Sequence, residues 1–362
     1  MSRLYLLLLL HSIINIFSAG AQSSQLHTYT VGVNSFKAAI LAHSPAVASL
    51  ARSMPQGFEV YINRNSYGYD AWDALYRCPD VGLAFQYTDY LNPVLGQSFS
   101  ITPYLTMPVV RLRQSRLMIG LGTGLAYHNR PYRTSPERAN VLLGTPITYS
   151  MQLQVNYIHQ VSDRWRLSLS TKLTHFSNGG ISKPNKGVNM PMLSLGAARL
   201  MGEQLPYAPS APAFEESLKK FYFYMGVSSG AKVLNKGGGQ HIFYNAHTYV
   251  TWRRNPISGI TVGLDGFFDN ALKQHIRRET DNKDADYRRV GAIMGHQLFY
   301  RKISLITQLG IYVYRPYKAI YQPIYQRYGL RYNLTGHLAI NFTLKTHGGQ
   351  AETIEWGLGV VF

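Results

Sequence analysis

The sequence predicts an all-β protein, a transmembrane antiparallel β-barrel of about 14 strands within a range of roughly 12 to 16. Three observations lead to this prediction: an export leader at the start of the chain, segments that alternate between apolar and polar residues, and an unusual composition. Charged residues make up 15% of the chain, below the roughly 25% that is typical of soluble domains. The chain also contains 32 Gly and 27 Tyr.

The composition excludes several classes of protein. Hydrophobic residues make up 46% of the 362 residues, which is too many for a disordered chain. The single cysteine, Cys78, excludes an internal disulfide framework and a zinc or iron–sulfur site with several cysteine ligands. The net charge is 36 − 18 = +18, and such an excess indicates an anionic partner, either nucleic acid or anionic lipid.

Residues 1–21 have the organisation of a secretory signal peptide. Arg3 precedes an apolar run over residues 4–17, and Ala19 and Ala21 provide the small residues of a cleavage site near Ala21. A membrane anchor is the alternative, which the shortness of the run disfavours. The rest of the chain, 22–362, has no apolar run of about 18 residues, so it contains no transmembrane helix. We expect it to form one outer-membrane barrel without a repeat or a second domain.

Alternation with a period of two is the main evidence for strands. Within 148–158 the odd positions are apolar and the even positions from 150 to 156 are Ser, Gln or Asn, and 337–345 alternates between apolar and mostly polar residues in the same way. Such strands suit either a soluble β-sandwich or a membrane barrel with an apolar outer face. The barrel is favoured because the apolar faces are large and aromatic and the polar faces lack a Lys/Glu mixture. The chain also ends in an apolar stripe that finishes at Phe362, which resembles the assembly signal of outer-membrane barrels.

The connections predict the topology. Short links at 113–115, 160–163 and 301–302 are expected to be periplasmic turns, and segments before residue 80 are not all expected to enter the wall. Longer links at 129–146, 178–190, 230–240, 270–287 and 315–325 are expected together at the extracellular rim. The proline-containing segment 203–218 is expected to be a periplasmic excursion or a short plug.

The segment Trp165–Ser177 carries the candidate chemistry. Its even positions are polar and should line the lumen, so His175 and Ser177 fall on the lipid-facing stripe at its extracellular end. A serine needs an adjacent base to become a nucleophile, and neutral imidazole is the usual one. The alternative is a strand end and polar turn in which His175 belongs to an interfacial belt.

The residues that follow suit an ester-hydrolysing site. Glycines in 178–189 would let backbone N–H groups converge on a developing oxyanion. Asn178 or Asn185 would add a side-chain donor, and Asn189 is the nearest residue that could orient the His175 imidazole.

HisPheSerAsnGlyGly followed by ProAsnLysGlyValAsn resembles the signature of the lipid A 3-O-deacylase family of outer-membrane barrels, which is also called acyloxyacyl hydrolase. The resemblance covers about 15 residues and implies that Ser177 is the nucleophile and His175 the base. It also implies that Asn178, Gly180 and Asn185 belong to the oxyanion region.

Position 189 departs from the family pattern, which expects Glu where this chain has Asn189. Loss of the carboxylate weakens stabilisation of the imidazolium and puts the activity in question. A Ser–His–Asn arrangement is similar to outer-membrane phospholipase A, which uses calcium.

Three functions therefore remain open. The first is a carboxylic-ester hydrolase acting on lipid A, with lipopolysaccharide and other outer-membrane lipids as partners and no cofactor. The second is a calcium-dependent phospholipase A, and the third is a non-catalytic pore or structural barrel. Nucleic-acid binding is disfavoured by the compartment.

The predicted outer loops carry cations that would meet anionic lipid head groups. They are Arg130, Arg133, Arg138, Lys183, Lys186, Lys232, Lys236, Lys273, Arg277, Arg278 and Lys283.

Overall fold

The computed structural model describes residues 27–133, 140–208, 219–235, 238–280 and 283–362. The predicted signal peptide, 1–21, lies outside these residues, as do 209–218 of the segment expected to be an excursion or plug. In the described part of the chain, 16 strands form two closed antiparallel barrels of eight strands each. The prediction of an antiparallel β-barrel protein is therefore confirmed.

The first barrel contains the strands that come before residue 202. They are β1 (His27–Ala38), β2 (Gln56–Ser66), β3 (Asp80–Asp89), β4 (Gln97–Arg111), β5 (Ser115–His128), β6 (Ile147–Gln160), β7 (Trp165–Ser177) and β8 (Val188–Met201). Two short helices, Pro45–Ala48 and Ala71–Leu75, and a 3-10 turn, Leu50–Arg52, lie in its connections. Both strands that precede residue 80 enter the wall, contrary to expectation.

The second barrel contains the remaining strands. They are β9 (Phe221–Lys232), β10 (His241–Asn255), β11 (Ser258–Asp269), β12 (Arg289–Tyr300), β13 (Ile303–Tyr314), β14 (Ile324–Asn333), β15 (Leu338–His347) and β16 (Gln350–Val361). A helix, Asn270–Glu279, follows β11 and packs Leu272 and Ile276 onto an aromatic cluster in this barrel. No helix in the described ranges is long and apolar enough to cross a membrane.

The closure into two barrels differs from the single wall that the sequence predicts. β8 pairs with β1, with Tyr29 opposite Met201, and β16 pairs with β9, with Trp356 opposite Ser229. The alternation of apolar and polar residues along a strand indicates which face of the sheet each side chain lies on. Closure of the sheet into a barrel depends instead on pairing between its first and last strands. The pattern within one segment carries no information about that pairing.

The connections follow the predicted topology. Successive strands are antiparallel, so alternate connections lie at opposite rims, and the predicted long links all lie at the rim opposite the short turns. The long-link rim is the extracellular one. The described part of the segment between β8 and β9 lies at the periplasmic rim.

Side chains fill both lumens in the described residues. Lys172 is paired with Glu59 at 2.5 Å inside the first barrel. Arg327 is paired with Asp265 at 2.6 Å and with Glu355 at 2.8 Å inside the second. Eight-stranded barrels have interiors that side chains can occupy completely. A water-filled pore needs an open lumen, so this filling argues against the pore alternative.

Candidate active site

The outward row of β7 leads to the candidate residues. Leu167, Leu169 and Leu173 are exposed on the outer wall, whereas Arg166 and Lys172 are buried in the lumen. His175 and Ser177 continue the outward row at the extracellular end, as the alternation predicts. Neither residue faces the lumen.

His175 is held by Asn189, which lies directly opposite on β8. The imidazole Nδ1 is 2.7 Å from the Asn189 Oδ1. An amide oxygen only accepts hydrogen bonds, so this contact assigns the proton to Nδ1 and leaves Nε2 unprotonated. An imidazole in this tautomer can act as a base through Nε2.

The amide of Asn189 has a second partner, His43, in the connection between β1 and β2. The Asn189 Nδ2 is 3.4 Å from the His43 Nδ1, and the His43 Nε2 is 2.9 Å from the Lys186 carbonyl oxygen. The His43 Nδ1 also lies 3.2 Å from the Leu41 carbonyl oxygen. With a proton on Nε2, His43 donates to Lys186 and accepts from Asn189. This chain of bonds turns the Asn189 oxygen toward His175.

Gly187 lies beneath the His175 ring. It has a φ of 74°, a conformation that residues with a Cβ rarely adopt. A Cβ at this position would stand 2.9 Å from the His175 Cε1. Both the backbone conformation and the close approach of the ring therefore require glycine.

The Ser177 hydroxyl receives two hydrogen bonds. The Asn185 Nδ2 donates to its Oγ at 3.0 Å, and the Gly179 backbone N–H donates at 3.1 Å. Within the described residues, no hydrogen bond joins His175 to Ser177. Ser177 is 8% exposed, so its outward side is covered. The proton transfer that a nucleophilic serine requires would need a side-chain rotation that brings the two groups together.

The loop after β7 is stabilised by its own polar groups. The Asn178 side chain accepts from the Gly180 N–H at 3.0 Å and donates to the Ser182 carbonyl at 3.1 Å. The Asn178 N–H donates to the Asn185 Oδ1 at 3.2 Å. Of the three residues predicted for the oxyanion region, only Asn185 contacts Ser177, whereas Asn178 and Gly180 shape the loop. The sequence analysis expected backbone N–H donors among the glycines of 178–189 without singling one out, and Gly179 is the glycine whose N–H contacts Ser177.

The outer wall below this site is apolar. Met151 lies opposite His175 on β6 and is 43% exposed, and Leu153 and Leu173 continue the surface toward the membrane centre. Such a surface suits the chains of a lipid whose head group lies at the rim.

Not all of the cations that the sequence predicted to meet lipid head groups are available to do so. Lys232 is the last residue of β9, and it is buried and bonded to Asp269 at 2.5 Å and Glu352 at 2.7 Å, so it is unavailable to lipid. Burial and the neighbouring Lys186 and Lys232 cations lower the pKa of the Lys183 ammonium. Arg138 and Lys236 lie outside the described residues.

A second serine–histidine set, here with Asp as the third residue, lies inside the second barrel. The Ser228 Oγ is 2.8 Å from the His247 Nε2, and the His247 Nδ1 is 2.8 Å from the Asp265 Oδ1. All three residues are buried in the lumen, and Asp265 also accepts from Tyr325 and Arg327. A substrate has no route to this serine through the packed side chains, so we assign the set to packing.

No group of three metal-ligating side chains occurs in the ranges that the structure describes.

Comparison with known proteins identifies the family. The model of the lipid A 3-O-deacylase family (PagL) matches residues 56–198, and the model of the acyloxyacyl hydrolase C-terminal domain matches residues 219–362. The two matched segments correspond to most of the first barrel and to the second barrel. A search of curated proteins finds no match.

The chain also has weak similarity to solved structures of outer-membrane proteins. The outer membrane enzyme PagL is 15% identical, with 46% of this chain and 97% of that chain covered and a TM-score of 0.33. Neisserial surface protein A is 13% identical, with 49% and 99% covered and a TM-score of 0.31. Omp33 of Acinetobacter baumannii is 8% identical, with 94% and 99% covered and a TM-score of 0.18. On the strength of the two family matches, this chain is an outer-membrane β-barrel protein that belongs to the lipid A 3-O-deacylase and acyloxyacyl hydrolase family.

Proposed function

We propose that this protein hydrolyses an ester-linked acyl chain of lipid A by a serine–histidine mechanism on the outer wall of its first barrel. The observation that carries the proposal is the pairing of His175 with Asn189 beside Ser177, at the extracellular end of an outward row. Lipid A resides in the outer leaflet, so an outward site at this rim meets its esters without extracting the lipid from the membrane.

The proposed reaction has two halves. The His175 Nε2 takes the Ser177 proton as the oxygen attacks the ester carbonyl, which forms a tetrahedral intermediate. The proton then passes to the leaving sugar oxygen as the carbon–oxygen bond breaks. In the second half, water adds to the acyl-serine, with His175 again acting as the base, and the fatty acid leaves.

The two donors at Ser177 are the proposed oxyanion stabilisers. The Asn185 amide and the Gly179 N–H already converge on the serine oxygen. A carbonyl oxygen of the attacked ester would lie beside that atom, within reach of the same donors. Such preorganised donors stabilise developing negative charge more than water does.

Asn189 supports the mechanism in part. Its oxygen selects the tautomer that leaves Nε2 unprotonated, as a carboxylate would. It supplies no negative charge to the imidazolium that forms during attack. We therefore expect slower turnover than a carboxylate at position 189 would support.

The proposal is tested with the purified full chain, reconstituted with lipid A, and with mass spectrometry of the products. We expect loss of an acyl chain with the wild-type protein and no loss with Ser177→Ala. Ser229→Ala, at a half-buried serine on the outer side of β9, provides a control. Equal activity of wild type and Ser177→Ala would refute the proposed nucleophile.

A phospholipid substrate is the second candidate, favoured by the Ser–His–Asn composition of the site. Release of fatty acid from phosphatidylethanolamine that requires added calcium would support it. Lipid A deacylation that is unaffected by a calcium chelator would support the first candidate instead.

A further inference from the structure

We propose that the second barrel is a working part of this site, because it holds the glycine turn that carries the Gly179 donor. The inference rests on the proposed function of Ser177. It assigns a positioning role to the β9–β10 connection and to the upper end of β16.

Hydrogen bonds from the second barrel reach the turn directly. The Val233 N–H donates to the Gly180 carbonyl oxygen at 2.9 Å, and the Gln240 Nε2 donates to the Ile181 carbonyl oxygen at 3.2 Å. Both donors come from the β9–β10 connection. They fix the orientation of two consecutive peptide units, Gly180–Ile181 and Ile181–Ser182, which are separated by one peptide unit from the unit that carries the Gly179 donor.

Packing from β16 reinforces these bonds. Ile354 points outward from the second barrel and is only 6% exposed, because it lies against Gly179. A Cβ at Gly179 would overlap the Ile354 side chain, and a Cβ at Gly180 would stand 2.5 Å from the Glu352 carbonyl oxygen. Both glycines also have positive φ angles, of 65° and 91°. Glycine at these two positions thus permits the second barrel to approach.

An aromatic contact extends the junction below the turn. Tyr149 lies directly opposite Ser177 on β6, and its ring centroid is 5.3 Å from that of Phe342 on β15. The junction therefore runs along the outer side of the serine. It accounts for the low exposure of Ser177 on a strand whose outward residues from Trp165 to Leu173 are exposed.

A positioning role has a specific kinetic consequence. If the turn is loosened, the Gly179 N–H is no longer aimed at the reacting centre, and stabilisation of the transition state falls while the lipid chains still bind. A misplacement of about 1 Å at a catalytic centre can lower the rate roughly a hundredfold. We expect a smaller change, of roughly tenfold in kcat, for a partial loosening, with KM nearly unchanged.

The test compares Ile354→Ala and Gln240→Ala with Leu358→Ala. Leu358 lies in the same outward row of β16 but is 55% exposed, so it is a matched control away from the turn. Gln240 is an exposed loop residue, and its substitution leaves the barrel interior intact. Each variant is reacted with a long-chain alkyl fluorophosphonate. In this reaction the serine oxygen forms a bond to phosphorus, fluoride leaves and the serine proton passes to His175.

We expect Ile354→Ala and Gln240→Ala to be labelled at Ser177 roughly tenfold more slowly than wild type, and lipid A kcat to fall in parallel. We expect Leu358→Ala to match wild type and the conservative Ile354→Val to retain most of the rate. Failure to label wild type at Ser177 would overturn the proposed function itself. Labelling of wild type at a rate that Ile354→Ala and Gln240→Ala both retain would overturn only the positioning role.

Discussion

Replacing Asn189 with aspartate tests the electrostatics of the proposed site. The two side chains have nearly the same shape, so Asn189→Asp keeps the 2.7 Å contact with the His175 Nδ1 and adds a negative charge. The charge would lie about 4 Å from the centre of the imidazolium that forms when Ser177 attacks. At an effective dielectric constant of about 20, the attraction is about 4 kcal/mol.

Desolvation of the new carboxylate removes part of this gain. His175 and Asn189 are both half-buried, so the carboxylate would lose some of its water in the resting state as well as in the transition state. If about half of the Coulomb energy survives, the barrier falls by about 2 kcal/mol, which raises kcat about 30-fold.

Lipid A deacylation by the purified barrel provides the assay. Asn189→Ala is the companion variant, because it removes the orienting oxygen without adding charge, and we expect it to be slower than wild type. A combined Ser177→Ala, Asn189→Asp chain should be inactive. If Asn189→Asp is no faster than wild type, the assignment of Asn189 as the partner of the reacting imidazole is wrong.

Other substitutions test separate parts of the site and the fold. His43→Ala should lower kcat several-fold in the wild-type background. It should have little effect together with Asn189→Asp, because either oxygen of a carboxylate can accept from the His175 Nδ1 and the side chain needs no orienting partner. Equal losses in both backgrounds would contradict the orienting role of His43. Asn185→Ala should lower kcat roughly a hundredfold, and an unchanged kcat would exclude it as an oxyanion donor. Ser228→Ala should leave the rate of fluorophosphonate labelling at Ser177 unchanged, and mass spectrometry of the labelled peptides identifies the serine that reacts. Glu59→Gln leaves a buried lysine unpaired and should cost about 3–5 kcal/mol in urea unfolding in detergent; a smaller loss would indicate that water reaches the pair.

The sequence predicted the outer wall of β7 correctly because alternation is a local property. Each apolar residue in an odd position points outward, and this regularity extended to His175 and Ser177. Asn189 was identified because it is close in the chain, and the strand register places it directly opposite His175. Local patterns and short separations were therefore sufficient for these residues.

Features that depend on distant segments were not predictable in the same way. His43 reaches the site because the chain after β1 runs beside the start of β8, where the Leu41 N–H donates to the Asn189 carbonyl at 2.9 Å. Ile354 reaches it because the second barrel packs against the first. Neither residue has a neighbour in sequence that signals its role. The division into two barrels could not be predicted for the same reason, because it depends on pairing between strands that are far apart in the sequence.

The contrast between the two serine–histidine sets explains why we place the proposed reaction at Ser177. Ser228, His247 and Asp265 have the better resting geometry, with both contacts at 2.8 Å. Arg327 already neutralises the Asp265 carboxylate, and packed side chains leave no space for an acyl group beside Ser228. Ser177 and His175 are not bonded to each other, yet they lie at the rim beside an apolar wall and two convergent donors. Ser177 and Ser228 are both buried, at 8% and 5% exposure, so the proposal places the reaction at Ser177 because of its position at the lipid rim and its two donors. A side-chain rotation at the rim can supply the missing bond to His175, whereas no rotation opens a filled lumen.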